Sequence, residues 1–133
     1  MDLGVVVLMD VDREDCLDLK RYLLSLKPRP SNTKFRIAVE ELESWFLADR
    51  DAIRRAFPRA RLDRIPNGPP DQVIGAWECL ARVLRMDPAK VTGVEKTEWA
   101  QAIAPHLDLD NPPSPSLRAF IEGLRRMLET PTV

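Results

Sequence analysis

Leu3 to Met9 (LGVVVLM) is a continuous, largely β-branched apolar run that ends abruptly in acid at Asp10, Asp12 and Asp15. An alternating pattern would describe a strand with one wet face. A continuous one requires cover on both faces, as in a parallel α/β sheet. The run is far shorter than the roughly 20 apolar residues that cross a bilayer, and no signal-peptide pattern is visible. A cytoplasmic location is the expectation.

From Arg13 to Lys27 the apolar spacing turns helical, with Cys16, Leu19, Leu23 and Leu26 on one stripe, and Pro28 and Pro30 end it. Phe35 to Val39 (FRIAV) reads as a second strand and again runs into acid, at Glu40, Glu41 and Glu43. Strand, helix, strand over this length is a βαβ unit with a right-handed crossover. Beyond Glu41 every pattern is helical. Glu43 to Ala48 forms a short helix, and Asp51 caps another through Phe57. After a Pro- and Arg-containing loop from Pro58 to Pro70, Val73, Ile74, Trp77, Leu80, Ala81 and Leu84 mark an amphipathic helix. Another helix covers Glu95 to Ala104. Ser116 caps the last one, whose apolar face is Leu117, Phe120, Ile121, Leu124 and Leu128. Trp45, Trp77 and Trp99 fall on apolar helix faces and read as core.

The expected fold is therefore α/β. A partial parallel sheet, one βαβ unit with acidic strand ends, occupies residues 1–49, and a mostly helical C-terminal half occupies residues 50–133 of a single domain. Two strands make a poor sheet by themselves. An apolar strand with an open edge invites another chain, so strand-mediated assembly or a homo-oligomer is the alternative expectation.

The chain is 31% charged and 44% hydrophobic, a globular balance. Its net charge of −1 provides no global pull toward nucleic acid or anionic membrane. The charge is uneven, however. Residues 10–18 carry five carboxylates against one arginine, and residues 50–64 carry six arginines against two aspartates. Such polarity can orient a polyanion, or it can amount to two solvated faces. Cys16 and Cys79 are too few for a disulfide framework and sit in helical patterns as small hydrophobes. With five glycines and no phosphate-cradling loop, a P-loop or dinucleotide fold is not expected. His106, the only histidine, lies in a loop after Pro105, and no nucleophile triad assembles around it.

The chemistry is concentrated in the acids. Ligands of open α/β sheets bind beyond the carboxyl ends of strands, where Asp10, Asp12 and Asp15 stand. Two carboxylates one residue apart can both reach a divalent cation, and Mg²⁺ prefers carboxylate oxygen while retaining water. Asp12 or Asp15 can instead cap the following helix. If the two strands are parallel neighbours, Glu40, Glu41 and Glu43 open on the same edge, and so many carboxylates repel unless something positive is shared. The competing role for these glutamates is an exposed first helical turn. Lys96 can supply positive charge to a phosphate or can simply face solvent.

Three blocks, VVVLMDVDREDCLDLK (Val5 to Lys20), RIAVEELESWFLAD (Arg36 to Asp49) and AIAPHLDLDNPPSPSLRAFIEGLRRML (Ala102 to Leu128), occur in an order that resembles the DUF4276 family of bacterial domains. That family is similar to Toprim-like domains, the catalytic fold of topoisomerases, primases and overcoming-lysogenization-defect nucleases. The resemblance implies a partial Toprim-like sheet and Mg²⁺-dependent phosphoryl transfer at nucleic acid. It further implies a nuclease-type role in phage or mobile-element defence, with an ATPase as one conceivable partner protein. Asp10 and Asp12 match the Asp-x-Asp of the metal site, with Asp15 beside them. Glu41 and Glu43 match the acidic block before the tryptophan and are the expected catalytic carboxylates. Lys96 matches a lysine ahead of the Ala-Pro-His segment and is expected to face phosphate. The early glutamate of the Toprim pattern, in a Glu-Gly context, has no counterpart here, so the resemblance implies a domain lacking its N-terminal part. The alternative reading is a non-catalytic interaction module or remnant that assembles through its strand edge.

Overall fold

The computed structural model describes residues 4–10, 15–26, 33–38 and 42–129. Strand β1 (Val5–Asp10) pairs in parallel with β2 (Thr33–Ala38), from Val5 opposite Thr33 to Asp10 opposite Ala38. Helix α1 (Cys16–Ser25) lies between them in sequence. The strands begin and end within two residues of the positions expected from the apolar runs.

The continuous hydrophobicity of β1 is explained by cover on both faces. Successive side chains on a strand point to opposite sides. Val7 and its partner Phe35 pack with Leu19 and Leu23 of α1. Leu8, one residue on, belongs to a second cluster with Trp45, Leu117, Phe120 and Ile121. The helix that carries the last three residues, α6 (Pro115–Glu129), rests on β2. Leu26 departs from the expected α1 stripe and is exposed. The helix ends at Ser25, and the extended backbone of Leu26 takes it off the buried face. The side chain of Cys16 lies outside the described residues.

Helices α2 (Glu43–Ala48) and α3 (Arg50–Ala56) follow with only Asp49 between them. Asp49, not Asp51, is therefore the residue in capping position: its Oδ1 accepts from the Ala52 N–H at 3.0 Å. Asp51 falls in the first turn and pairs with Arg54 instead. The Pro58–Pro70 loop contains a 3₁₀ turn at Leu62–Arg64 and contributes the buried Ile65 to the core.

Helix α4 (Ala76–Val83) starts three residues later than its apolar spacing suggests. Gly75 takes a left-handed backbone with φ of +68°, which breaks the helix there and leaves Ile74 84% exposed. Helix α5 (Gly93–Ile103) starts earlier than expected because Thr92 and Glu95 form a capping box. Leu47, Ile53, Leu80, Val83, Trp99 and Ile103, contributed by α2 to α5, form the main core.

Helix α6 begins at Pro115, and its cap is Ser114 rather than Ser116: the Leu117 N–H donates to Ser114 Oγ at 3.2 Å. Proline then occupies the first helical position, where its missing N–H costs nothing. Leu128 continues the apolar periodicity but is 87% exposed. Among the described residues no helix is long and apolar enough to cross a membrane.

Candidate functional site

The parallel register fixes where the acids emerge. Asp10 and Ala38 form the last rung of the sheet, so the chain leaves both strands on one edge. After Asp10 the path runs through Asp12 to Asp15, and after Ala38 through Glu40 and Glu41 to Glu43. The spacing is matched, since α1 is capped five residues beyond Asp10 and α2 opens five residues beyond Ala38. The side chain of Asp10, and Asp12, Glu40 and Glu41 as wholes, lie outside the described residues.

Asp15 and Glu43 frame this edge. Asp15 is the N-cap of α1, and its Oδ1 accepts from the N–H groups of Leu17 (2.8 Å) and Asp18 (3.1 Å). The capping role anticipated for this carboxylate is thus filled, and both bonds fall on one of its oxygens. Asp15 and Asp18 also line an open surface hollow with Met9, Leu19 and Tyr22, beside the last residues of β1. Glu43 is the half-buried first residue of α2, where the helix dipole favours negative charge.

Lys96 sits elsewhere in the fold. Its Nζ lies 4.0 Å from the centroid of the Trp77 ring, a cation–π contact between α5 and α4. Helix α5 packs chiefly on α3 and on the Ala104–His106 turn. Trp77 is accordingly half-buried, unlike the buried Trp45 and Trp99. His106 is exposed in that same turn. The Glu95 carboxylate, one residue before Lys96, is held below its usual pKa by the bonds it accepts from the Thr92 side chain and backbone. Cys79 is half-buried, and burial pushes its thiol up against the opposing pull of Arg82, consistent with an unreactive packing residue.

The most connected polar cluster was not legible from spacing. Asp71, in the 3₁₀ turn Pro70–Gln72, accepts from Ser114 Oγ (2.7 Å), Ser116 N–H (2.9 Å) and Ser116 Oγ (3.0 Å). Trp45 Nε1 donates to Ser116 Oγ at 2.6 Å. Ser114 and Ser116 are buried. This cluster ties α2 and the start of α6 to the 70–72 turn, and its Trp45 shares a hydrophobic cluster with Leu8 of the sheet. A second carboxylate with two uses is Asp49, whose Oδ2 accepts from the Asp108 N–H at 2.9 Å while its Oδ1 caps α3. Only the Ser-Pro pair at Ser114 carried a sequence signal for any of these, as a serine cap before a first-turn proline.

Among the described residues, no three His, Cys, Asp or Glu side chains gather as a metal cage. In comparison with known proteins, the family model described as a domain of unknown function, DUF4276, matches residues 2–125. No curated protein and no solved structure matches.

Proposed function

The chain belongs to the DUF4276 family, and from that footing we propose that it is a Toprim-like, Mg²⁺-dependent phosphoryl-transfer domain of nuclease type, acting in phage or mobile-element defence. The observation that carries this reading is the shared last rung of the parallel pair, Asp10 opposite Ala38, which sends two acidic segments off one edge.

The donor set suits a hard cation. It consists of carboxylates alone, with His106 exposed in its own turn and Cys79 in the helical half. Asp10 and Asp12 would hold Mg²⁺, with the second oxygen of Asp15 beside them. Bound there, the cation would polarise a phosphoryl oxygen and offset charge that develops on it. Glu41 or Glu43 would take a proton from the attacking water. Glu43 stands in the first turn of α2, where the helix dipole favours negative charge. Lys96, held on the Trp77 ring in the helical half, has no part in this step.

The test is cleavage of supercoiled plasmid and of single-stranded DNA in Mg²⁺ or Mn²⁺. The expected result is cleavage that stops in EDTA. Asp12→Asn is expected to slow it by about 100-fold or more, since the cation contributes several kcal/mol to the transition state. Cleavage that persists in EDTA, or an unimpaired Asp12→Asn variant, would contradict the proposal.

A second reading, a non-catalytic module that assembles through its strand edge, draws on one specific observation. Among the described residues the sheet has two strands, and Met9, Leu17, Tyr22, Leu24 and Leu26 around β1 and α1 are large exposed hydrophobics. A stable monomer in solution, by light scattering at rising concentration, would count against it.

A further inference from the structure

Two segments distant in sequence are bound together in the helical half, and both are rich in arginine. The Arg61 N–H donates to the Val83 carbonyl at 2.7 Å, and Arg85 Nε donates to the Arg59 carbonyl at 2.9 Å. The Leu62–Arg64 turn packs on α4. Cys79 Sγ lies 3.9 Å from the Arg64 carbonyl, and Arg82 is near enough to act on the same thiol. One surface thus collects Arg59, Arg61, Arg64, Arg82 and Arg85.

Apart from Glu78 on α4, little acid offsets it. Residues 50–64 carry six arginines against two aspartates, and residues 82–90 carry three cations against Asp87. Asp51 is engaged by Arg54, Asp63 lies 4.0 Å from Arg61, and Asp87 caps the Pro88–Lys90 turn. Arg59, Arg64 and Arg82 are exposed and make no ion pair among the described residues. Helix dipoles explain cations at the carboxyl ends of α3 and α4, but not Arg59, Arg61 and Arg64 in the loop.

Arg85 adds an independent sign. The Arg85 N–H donates to the Arg82 carbonyl at 3.1 Å and the Met86 N–H to the Ala81 carbonyl at 2.8 Å, which closes α4 in a Schellman motif. Arg85 occupies its left-handed position with φ of +64°, the one such backbone on a residue other than glycine among the described residues. Glycine is the unstrained occupant of that position. Here the backbone carries strain and presents an arginine.

We propose that this arginine face binds the phosphate backbone of nucleic acid. Arginine forks match phosphate oxygens in pairs, and the face is built from arginine almost without lysine. None of the large exposed hydrophobics lies in residues 50–64 or 82–90. The face therefore lacks the apolar wedge of a membrane-inserting surface and the apolar centre of a protein interface. The choice of nucleic acid over other polyanions rests on the phosphoryl-transfer reading above. What is new is where the polymer lies, on the junction of α4 and the 58–64 loop.

Fluorescence anisotropy with labelled DNA of about 20 nucleotides, single-stranded and duplex, tests this across a salt series, with a log–log slope of about −0.9 per duplex phosphate neutralised. EDTA is present throughout, so failure here is distinct from failure of the cation site. The triple variant Arg59→Ala, Arg64→Ala, Arg82→Ala is expected to bind about tenfold or more weakly at low salt, with a slope shallower by about 2 to 3. Arg85→Gly is expected to weaken binding while its melting temperature stays close to that of wild type, because relief of the left-handed backbone offsets loss of the Nε bond to the Arg59 carbonyl. The proposal is overturned if wild type does not bind, if the triple variant binds within about twofold of wild type at every salt concentration, or if Arg85→Gly leaves affinity unchanged. It is also overturned if polyglutamate or phosphatidylserine vesicles bind as tightly as DNA.

Discussion

Trp45→Ala is expected to lower the stability of the protein by about 3–5 kcal/mol in urea unfolding, the range for removal of a buried tryptophan. Trp45 is 7% exposed and joins the two halves of the molecule. Its ring packs on Phe120, with centroids 5.5 Å apart and planes tilted by 31°, and on Leu117. Leu8 of β1 belongs to the same cluster. The variant loses that burial and also the bond from Nε1 to Ser116 Oγ. Trp45→Phe separates the two contributions. It keeps most of the apolar contact and removes the donor, and is expected to cost about 1–2 kcal/mol. A loss below about 1 kcal/mol for Trp45→Ala would mean that the sheet is not held to the helical half through this residue.

The second large effect belongs to Asp71. Its carboxylate accepts three bonds, two from side chains and one from the Ser116 backbone. Bonds to a charged acceptor each contribute about 1.5–3 kcal/mol, and buried donors left without one carry their own penalty. The serines keep some mutual bonding, since Ser114 Oγ lies 3.1 Å from Ser116 Oγ. Asp71→Ala should therefore cost about 2–4 kcal/mol rather than the full sum. Asp71→Ala and Ser116→Ala should be strongly non-additive in a double-mutant cycle, because they remove the same bonds. Additive effects, or a loss under about 0.5 kcal/mol for Asp71→Ala, would show that water replaces the carboxylate readily.

How legible these features are in the sequence depends on their range. The β1 run announced a strand covered on both faces because alternate residues, Val7 and Leu8, must each find a partner layer. The acid that follows each strand was visible, and the parallel register brings both acidic segments to one edge. Local rules failed where one residue reset a boundary. Gly75 took a left-handed backbone and delayed α4, and Asp49, wedged between two helices, became the cap expected at Asp51. Periodicity likewise described Leu128 as apolar face, though among the described residues it is 87% exposed.

Contacts across the fold left no local trace. Asp71 meets its serines from 43 and 45 residues away. Lys96 finds the Trp77 ring on another helix, a pairing that no spacing rule encodes. The arginines at 50–64 were evident as a run. Their union with Arg82 and Arg85 depends on two hydrogen bonds between segments.

The claim that the two acidic strand ends form a cation site is tested most directly by calorimetric titration of Mn²⁺ and Mg²⁺ into wild type and into the Asp10→Ala, Asp12→Ala double variant. Circular dichroism and melting temperature establish that the variant is folded. The account predicts a saturable heat for wild type that disappears in a folded variant. Identical heats from the two proteins would contradict it.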